Sequence, residues 1–121
     1  MADDYEVEVT IKKNGRPLEG FDPLVRTLSV DEDAPFDYEH ANDGDTTTFT
    51  TVPDSKVADA RILVVKSNKA VTLKLGEDLA INADGFVVAF GVTLDVGAGS
   101  NAKINNNSGA TAQIEGLVAG T

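Results

Sequence analysis

Residues 60–76, ARILVVKSNKAVTLKLG, decide the fold. Ile62-Leu63-Val64-Val65 is an apolar run of the length a strand buried on both faces needs, and Ala70-Val71-Thr72-Leu73-Lys74-Leu75 then alternates apolar with polar residues at period two. Ser67-Asn68-Lys69 lies between them. A short Ser/Asn connection ahead of an alternating run predicts a β-hairpin, with Asn68 as the residue most tolerant of a left-handed backbone.

The same signals extend in both directions. Tyr5, Val7, Val9 and Ile11 alternate with Glu6, Glu8, Thr10 and Lys12, the pattern of a half-buried strand. Asn14-Gly15 supplies a positive-φ turn, Pro17 blocks a central strand, and residues 24–30 (LVRTLSV) form a second candidate strand. Thr46 to Val52 is β-branched around Phe49, which is expected to point inward. Pro53-Asp54-Ser55 breaks that run, and residues 56–59 are long enough for one helical turn.

Downstream of the central stretch, Leu79-Ala80-Ile81 and Phe86-Val87-Val88-Ala89-Phe90 flank a turn at Asn82-Ala83-Asp84-Gly85, a second hairpin signal. Val92, Leu94 and Val96 alternate with polar residues, and Gly97-Ala98-Gly99-Ser100 forms a small-residue loop. Two last strands, 102–105 and 110–118, are joined by Asn106-Asn107-Ser108-Gly109. No segment sustains a 3.6-residue period. About eight short antiparallel strands with turn chemistry between them predict an all-β fold, a β-sandwich of jelly-roll type, in a single domain spanning residues 1–121. Two runs apolar on both faces, 62–65 and 86–90, exceed what one sandwich interior requires. The surplus lines a subunit interface or belongs to long internal strands.

The chain of 121 residues has a net charge of −10, and its acids are unevenly placed. Fifteen acids face five bases through Asp59, whereas five face five afterwards. Residues 31–45, with Asp31, Glu32, Asp33, Asp37, Glu39, Asp43 and Asp45 around Phe36 and Tyr38, are therefore expected to form an acidic loop or arm, which is either a solvated face or a surface for a basic partner. Direct nucleic-acid binding is disfavoured, since no cluster of Lys and Arg is available for phosphates. The N-terminal residues lack the basic and apolar regions of a signal peptide, and no run approaches transmembrane length, which places synthesis and folding in the cytoplasm and off the membrane.

Chemistry-bearing residues are few. There is no cysteine and one histidine, His40, so a zinc site or a Cys-His pair cannot be built within one chain. No serine sits in a nucleophile-elbow context, and His40 is expected to be an exposed or interface side chain. The acid-rich turns do not have EF-hand spacing. Neither an enzymatic activity nor a metal or cofactor is expected.

The second half resembles the small β-rich virion proteins of tailed bacteriophages, above all their capsid decoration (cement) proteins. The residues that carry the resemblance are the central hairpin stretch, the Asp84-Gly85 turn with its apolar strand, the Gly/Ser loop, Ile104-Asn105-Asn106-Asn107-Ser108-Gly109 and the end Leu117-Val118-Ala119-Gly120. The resemblance implies a structural protein of the capsid exterior that binds the mature lattice of the major capsid protein as a homotrimer and stabilises it. Asp31, Glu32, Asp33, Phe36, Tyr38, Asp43 and Asp45 are the candidate interface. The rival expectation is an adhesion or glycan-binding module of a tail fibre or cell surface, for which Phe36 and Tyr38 would line a groove.

Overall fold

The computed structural model describes residues 3–53, 57, 59–75, 77–95 and 102–121. Within them the chain forms β1 (Asp3–Val9), β2 (Lys12–Lys13), β3 (Arg16–Pro17), β4 (Leu24–Val30), β5 (Glu32–His40), β6 (Thr50–Thr51), β7 (Asp59–Ser67), β8 (Val71–Leu75), β9 (Glu77–Ile81), β10 (Gly85–Asp95), β11 (Lys103–Asn105) and β12 (Ala112–Gly120), and the described residues contain no helix. The expected break at 53–55, the helical turn over 56–59 and the loop at 97–100 fall wholly or partly outside the described residues.

Strands β5 to β12 build two four-stranded sheets, in the orders β10-β7-β12-β5 and β6-β11-β8-β9. The antiparallel pairs β8–β9, β7–β10, β6–β11 and β5–β12 nest one outside the next. The eight strands are thus one long antiparallel ribbon, doubled back between β8 and β9 and rolled so that each half alternates between the sheets. That connectivity is the jelly roll expected from the sequence.

The rolled ribbon overturns the central hairpin. Strands β7 and β8 do not pair; residues 68–70 cross from one sheet to the other. The two strands have different burial demands. β7 is apolar on both faces and takes a central place between β10 and β12, whereas β8 buries Val71 and Leu73 but leaves Lys74 exposed. The polar connection fastens the crossing instead of closing a hairpin. Ser67 Oγ donates to the Lys69 carbonyl at 2.7 Å, and Asn68 Oδ1 accepts from the Gln113 backbone at 2.8 Å. Asn68 is not left-handed; among the described residues Asn14 and Asp84 are the non-glycine residues with positive φ. Asp84-Gly85 makes its expected turn, closed by Gly85 N–H donating to the Asn82 carbonyl at 2.9 Å, yet it too joins strands of opposite sheets, as does the turn at 106–109.

Only Thr50–Thr51 of the expected strand around Phe49 pairs, because the Asp45 carboxylate draws the preceding residues into a turn. It accepts from Thr47 N–H at 3.0 Å, Thr48 N–H at 2.8 Å and the Thr48 hydroxyl at 2.8 Å. Phe49 is half-buried under the Lys74 ammonium, 5.2 Å from its ring centre, and Val52 is the residue that reaches the core.

Leu63, Val65, Leu73, Ile104, Ile114 and Val118 are fully enclosed between the sheets. A second apolar cluster lies on the outer face of the β10-β7-β12-β5 sheet, where Ile62 and Ala119 meet Leu28 and Val30, with Tyr5, Val7, Val64, Phe90 and Leu117 around them. The hairpin β1–β4 covers this cluster, pairing Tyr5 with Leu28 and Val7 with Arg26. Burying a Leu or Val side chain contributes about 1.5–3 kcal/mol, so Leu28 and Val30 alone fix the base of the hairpin firmly. This third layer absorbs part of the apolar surplus noted in the sequence: Ile62, Val64 and Phe90.

The acidic segment is not a loop or arm throughout. Residues 32–40 are β5, the edge strand paired with β12, because Ala34, Phe36, Tyr38 and His40 form an inward-facing row between outward acids. The arm of this molecule is the β1–β4 hairpin. Its tip, β2–β3, turns on Asn14 (φ 54°) and Gly15 (φ 78°), a pair of positive φ angles that matches the twist of a hairpin, and Leu18 N–H donates to the Ile11 carbonyl at 2.9 Å.

Candidate functional site

The end of the sandwich where β5, β7, β9 and β11 each cross to the opposite sheet gathers the buried polar side chains found among the described residues: His40, Ser67, Asn105 and Asn106. His40 ends β5 and is 6 % exposed, so it is neither the solvent nor the interface side chain expected. The alternation that makes β5 a strand carries it inward. Its Nδ1 lies 3.2 Å from the Tyr38 hydroxyl and its Nε2 3.0 Å from Asp43 Oδ2, which also accepts the Asn106 backbone N–H at 2.7 Å. Asn106 Nδ2 donates back to the His40 carbonyl at 2.9 Å and to the Ala110 carbonyl at 2.8 Å. Asn105 Nδ2 donates to the carbonyls of Asp45 and Thr48. Every buried side-chain polar atom among the described residues is satisfied.

A Tyr-His-Asp chain could in principle relay a proton. The environment works against activation, however: burial, and then the negative charge of Asp43, pushes the Tyr38 phenol up to about 12, so the hydroxyl is held protonated, the reverse of an activated nucleophile. Above the chain lies an open depression of about 240 Å³ lined by Tyr38, Glu39, His40, Ala41, Asp43 and Thr50. Among the described residues, no group of three or more His, Cys, Asp or Glu is arranged to hold a metal ion. What the network does do is lock the 41–49 crossing onto the β11–β12 turn.

The seven residues proposed as an interface are dispersed. Asp31 and Asp43 flank the nine-residue β5 and stand roughly 30 Å apart, from the strand rise per residue. Phe36, 8 % exposed, is part of the core and lines no groove, and Tyr38 is half-buried beside it with ring centres 6.3 Å apart. Asp33 accepts the Tyr5 hydroxyl, which raises the Tyr5 pKa, and Asp31 N–H donates to the Gly120 carbonyl at 2.8 Å. Glu32 lies half-buried on β5. Asp43 and Asp45 spend their carboxylates on the crossing loop; the N–H of Thr48, then its hydroxyl, then the N–H of Thr47, hold the Asp45 carboxyl below its ordinary range.

Two surfaces stand bare instead, one on the arm, which sequence reasoning did not single out, and one on the run 86–90, noted there as surplus for a subunit interface. Beyond its packed base, the arm exposes Ile11, Leu18, Leu24 and Val25, and its tip carries Lys12, Lys13 and Arg16. On the sheet, Phe86 and Val88 are 68 % and 39 % exposed. The two-faced apolar run at 86–90 was the available signal for the second surface. Nothing in the alternation of residues 5–11 tells how far along the arm its cover extends. No family model matches the chain, and comparison with curated proteins and with solved structures found no match.

Proposed function

We propose that this chain is a binding protein without catalytic activity, a bacteriophage capsid decoration protein that grips the mature lattice of the major capsid protein on the virion exterior. The observation that carries the reading is the arm: a two-stranded hairpin, fixed at its base by Leu28 and Val30, that presents exposed Ile11, Leu18, Leu24 and Val25 beside a basic tip. Exposed apolar side chains gathered on one hairpin serve association with another macromolecule. The resemblance of the second half to phage cement proteins supplies the kind of partner. A binder selective for one lattice state stabilises that state by mass action.

We assign docking to the arm, since the acids of residues 31–45 are spread along β5 and the loop that follows it, and several are engaged within the chain. Co-sedimentation with expanded and unexpanded capsids tests the reading. Wild-type protein is expected to saturate expanded capsids, to bind less tightly as salt rises because of Lys12, Lys13 and Arg16, and to be lost when Leu24 and Val25 are both changed to Asp. Equal occupancy by the doubly substituted protein would overturn the assignment to the arm. Absence of binding to either lattice would overturn the capsid reading.

A further inference from the structure

We propose that β10 pairs antiparallel with β10 of a second copy of this chain, extending the β10-β7-β12-β5 sheet across a two-fold axis. β10 is the longest strand, 11 residues, and lies at an edge of its sheet; among the described residues no strand pairs with its outer side. From Gly85 to Leu94 it contains no charged residue and no proline, the two devices that ordinarily keep a free edge from recruiting another chain.

The sandwich is also open along this side. Leu79 of β9 lies across from the fully buried Leu73 and so on the core-facing side of its sheet, yet it is 43 % exposed. Val87 and Ala89, the core-facing residues of β10, are only half-buried. On the opposite face Phe86 and Val88 stand bare, while Phe90 on the same face is covered by the arm.

A second copy fits this edge for two reasons. The segment Phe86-Val87-Val88-Ala89-Phe90 reads almost the same in both directions. An antiparallel pairing centred on Val88 sets Phe86 opposite Phe90, Val87 opposite Ala89 and Val88 opposite itself, an isologous contact of apolar and aromatic cross-strand pairs. In addition, two molecules of net charge −10 repel, and this strand lets them approach without setting acid against acid. The inference departs from the homotrimer that the resemblance implies and stands apart from the capsid reading, since it concerns the free protein.

Light scattering on the eluting full chain, together with a Val88→Cys variant, tests it. The chain has no cysteine of its own, so the introduced thiol reports one contact. A mass of twice 12.7 kDa is expected, along with conversion of Val88→Cys to a covalent dimer under mild oxidation and a monomer for Val88→Lys with an unchanged far-ultraviolet spectrum. Both substitutions fall on a side chain already partly in solvent, so the protomer folds either way. A monomeric wild type at about 100 μM, far above the dissociation constants of specific interfaces, would overturn the proposal. So would a trimer, or a dimer that survives Val88→Lys or in which Val88→Cys fails to cross-link, and each of these leaves the capsid reading standing.

Discussion

The two edges of the β10-β7-β12-β5 sheet are opposites. β5 places Glu32, Asp33, Asp37 and Glu39 along its length and has Pro35, which has no N–H to offer a neighbour, while Ala34, Phe36 and His40 of its inward row are buried and Tyr38 is half-buried. β10 has neither charge nor proline between Gly85 and Leu94 and leaves Val87 and Ala89, on the inward side, half in solvent. One edge is finished and the other is unfinished. The acids and the proline of β5 are the devices that ordinarily keep a free edge from recruiting another chain.

The sharpest way to break the contrast uses one phenylalanine from each edge. Phe36→Ala is expected to lower stability by about 3–5 kcal/mol, as for a buried aromatic, whereas Phe86→Ala should change protomer stability by less than about 0.5 kcal/mol while abolishing self-association. Urea unfolding of dilute protein measures both, and equal losses would erase the distinction. Gly116→Ala probes how tightly the finished edge is held. A Cβ there would lie 1.8 Å from the Val64 carbonyl oxygen and 2.8 Å from the Phe36 ring, so a cost of about 3 kcal/mol is expected from overpacking. An unshifted midpoint would show that β12 can yield at this point.

His40→Ala removes the partner of both Tyr38 and Asp43 and is expected to cost about 1–3 kcal/mol without altering oligomeric mass; a change in mass would connect the crossing end to the open edge. Alkaline unfolding gives a smaller effect with a definite sign. The Tyr38 phenol ionises at about 12 in the folded chain and near 10 when unfolded, so its stabilising contribution is complete below pH 10 and is lost as pH rises to about 12. Tyr38→Phe should flatten that decline, and an identical alkaline profile would mean that the hydroxyl is free. The Tyr5 phenol, raised by Asp33, shifts in the same sense and is unaffected by this substitution. Smallest is Asp45→Asn. The depressed carboxyl of Asp45 contributes above its unfolded pKa and loses that contribution as pH falls through the folded value, so the substitution should slightly reduce the acid-limb slope, seen in the Thr47 and Thr48 amide resonances.

Strand identity was largely written in local pattern: β1, β4, β7 and β8 follow from alternation and apolar runs, and the turns at Asn14-Gly15 and Asp84-Gly85 from positive-φ chemistry. Pairing was not. A turn that closes a hairpin and one that carries the chain between sheets use the same Ser, Asn, Asp and Gly residues, and only distant strands competing for the edges of β7 decide which forms. β5 was obscured because its outward acids outweighed, in composition, the inward row Ala34, Phe36, Tyr38 and His40 that a period-two count would have exposed. The burial of His40 follows from that same row. The bare distal arm and the open β10 edge depend on where cover stops, a property of three-dimensional layering that no local pattern encodes.

The nested pairing of the jelly roll sets a timetable for synthesis. β12 lies between β5 and β7, so the sheet to which all three belong lacks its middle until residues 112–120 have left the ribosome. Until then β7, apolar on both faces, has only β10 beside it. A chain lacking those residues would leave its most apolar strand covered on one edge alone, the condition under which partly folded chains are prone to aggregate.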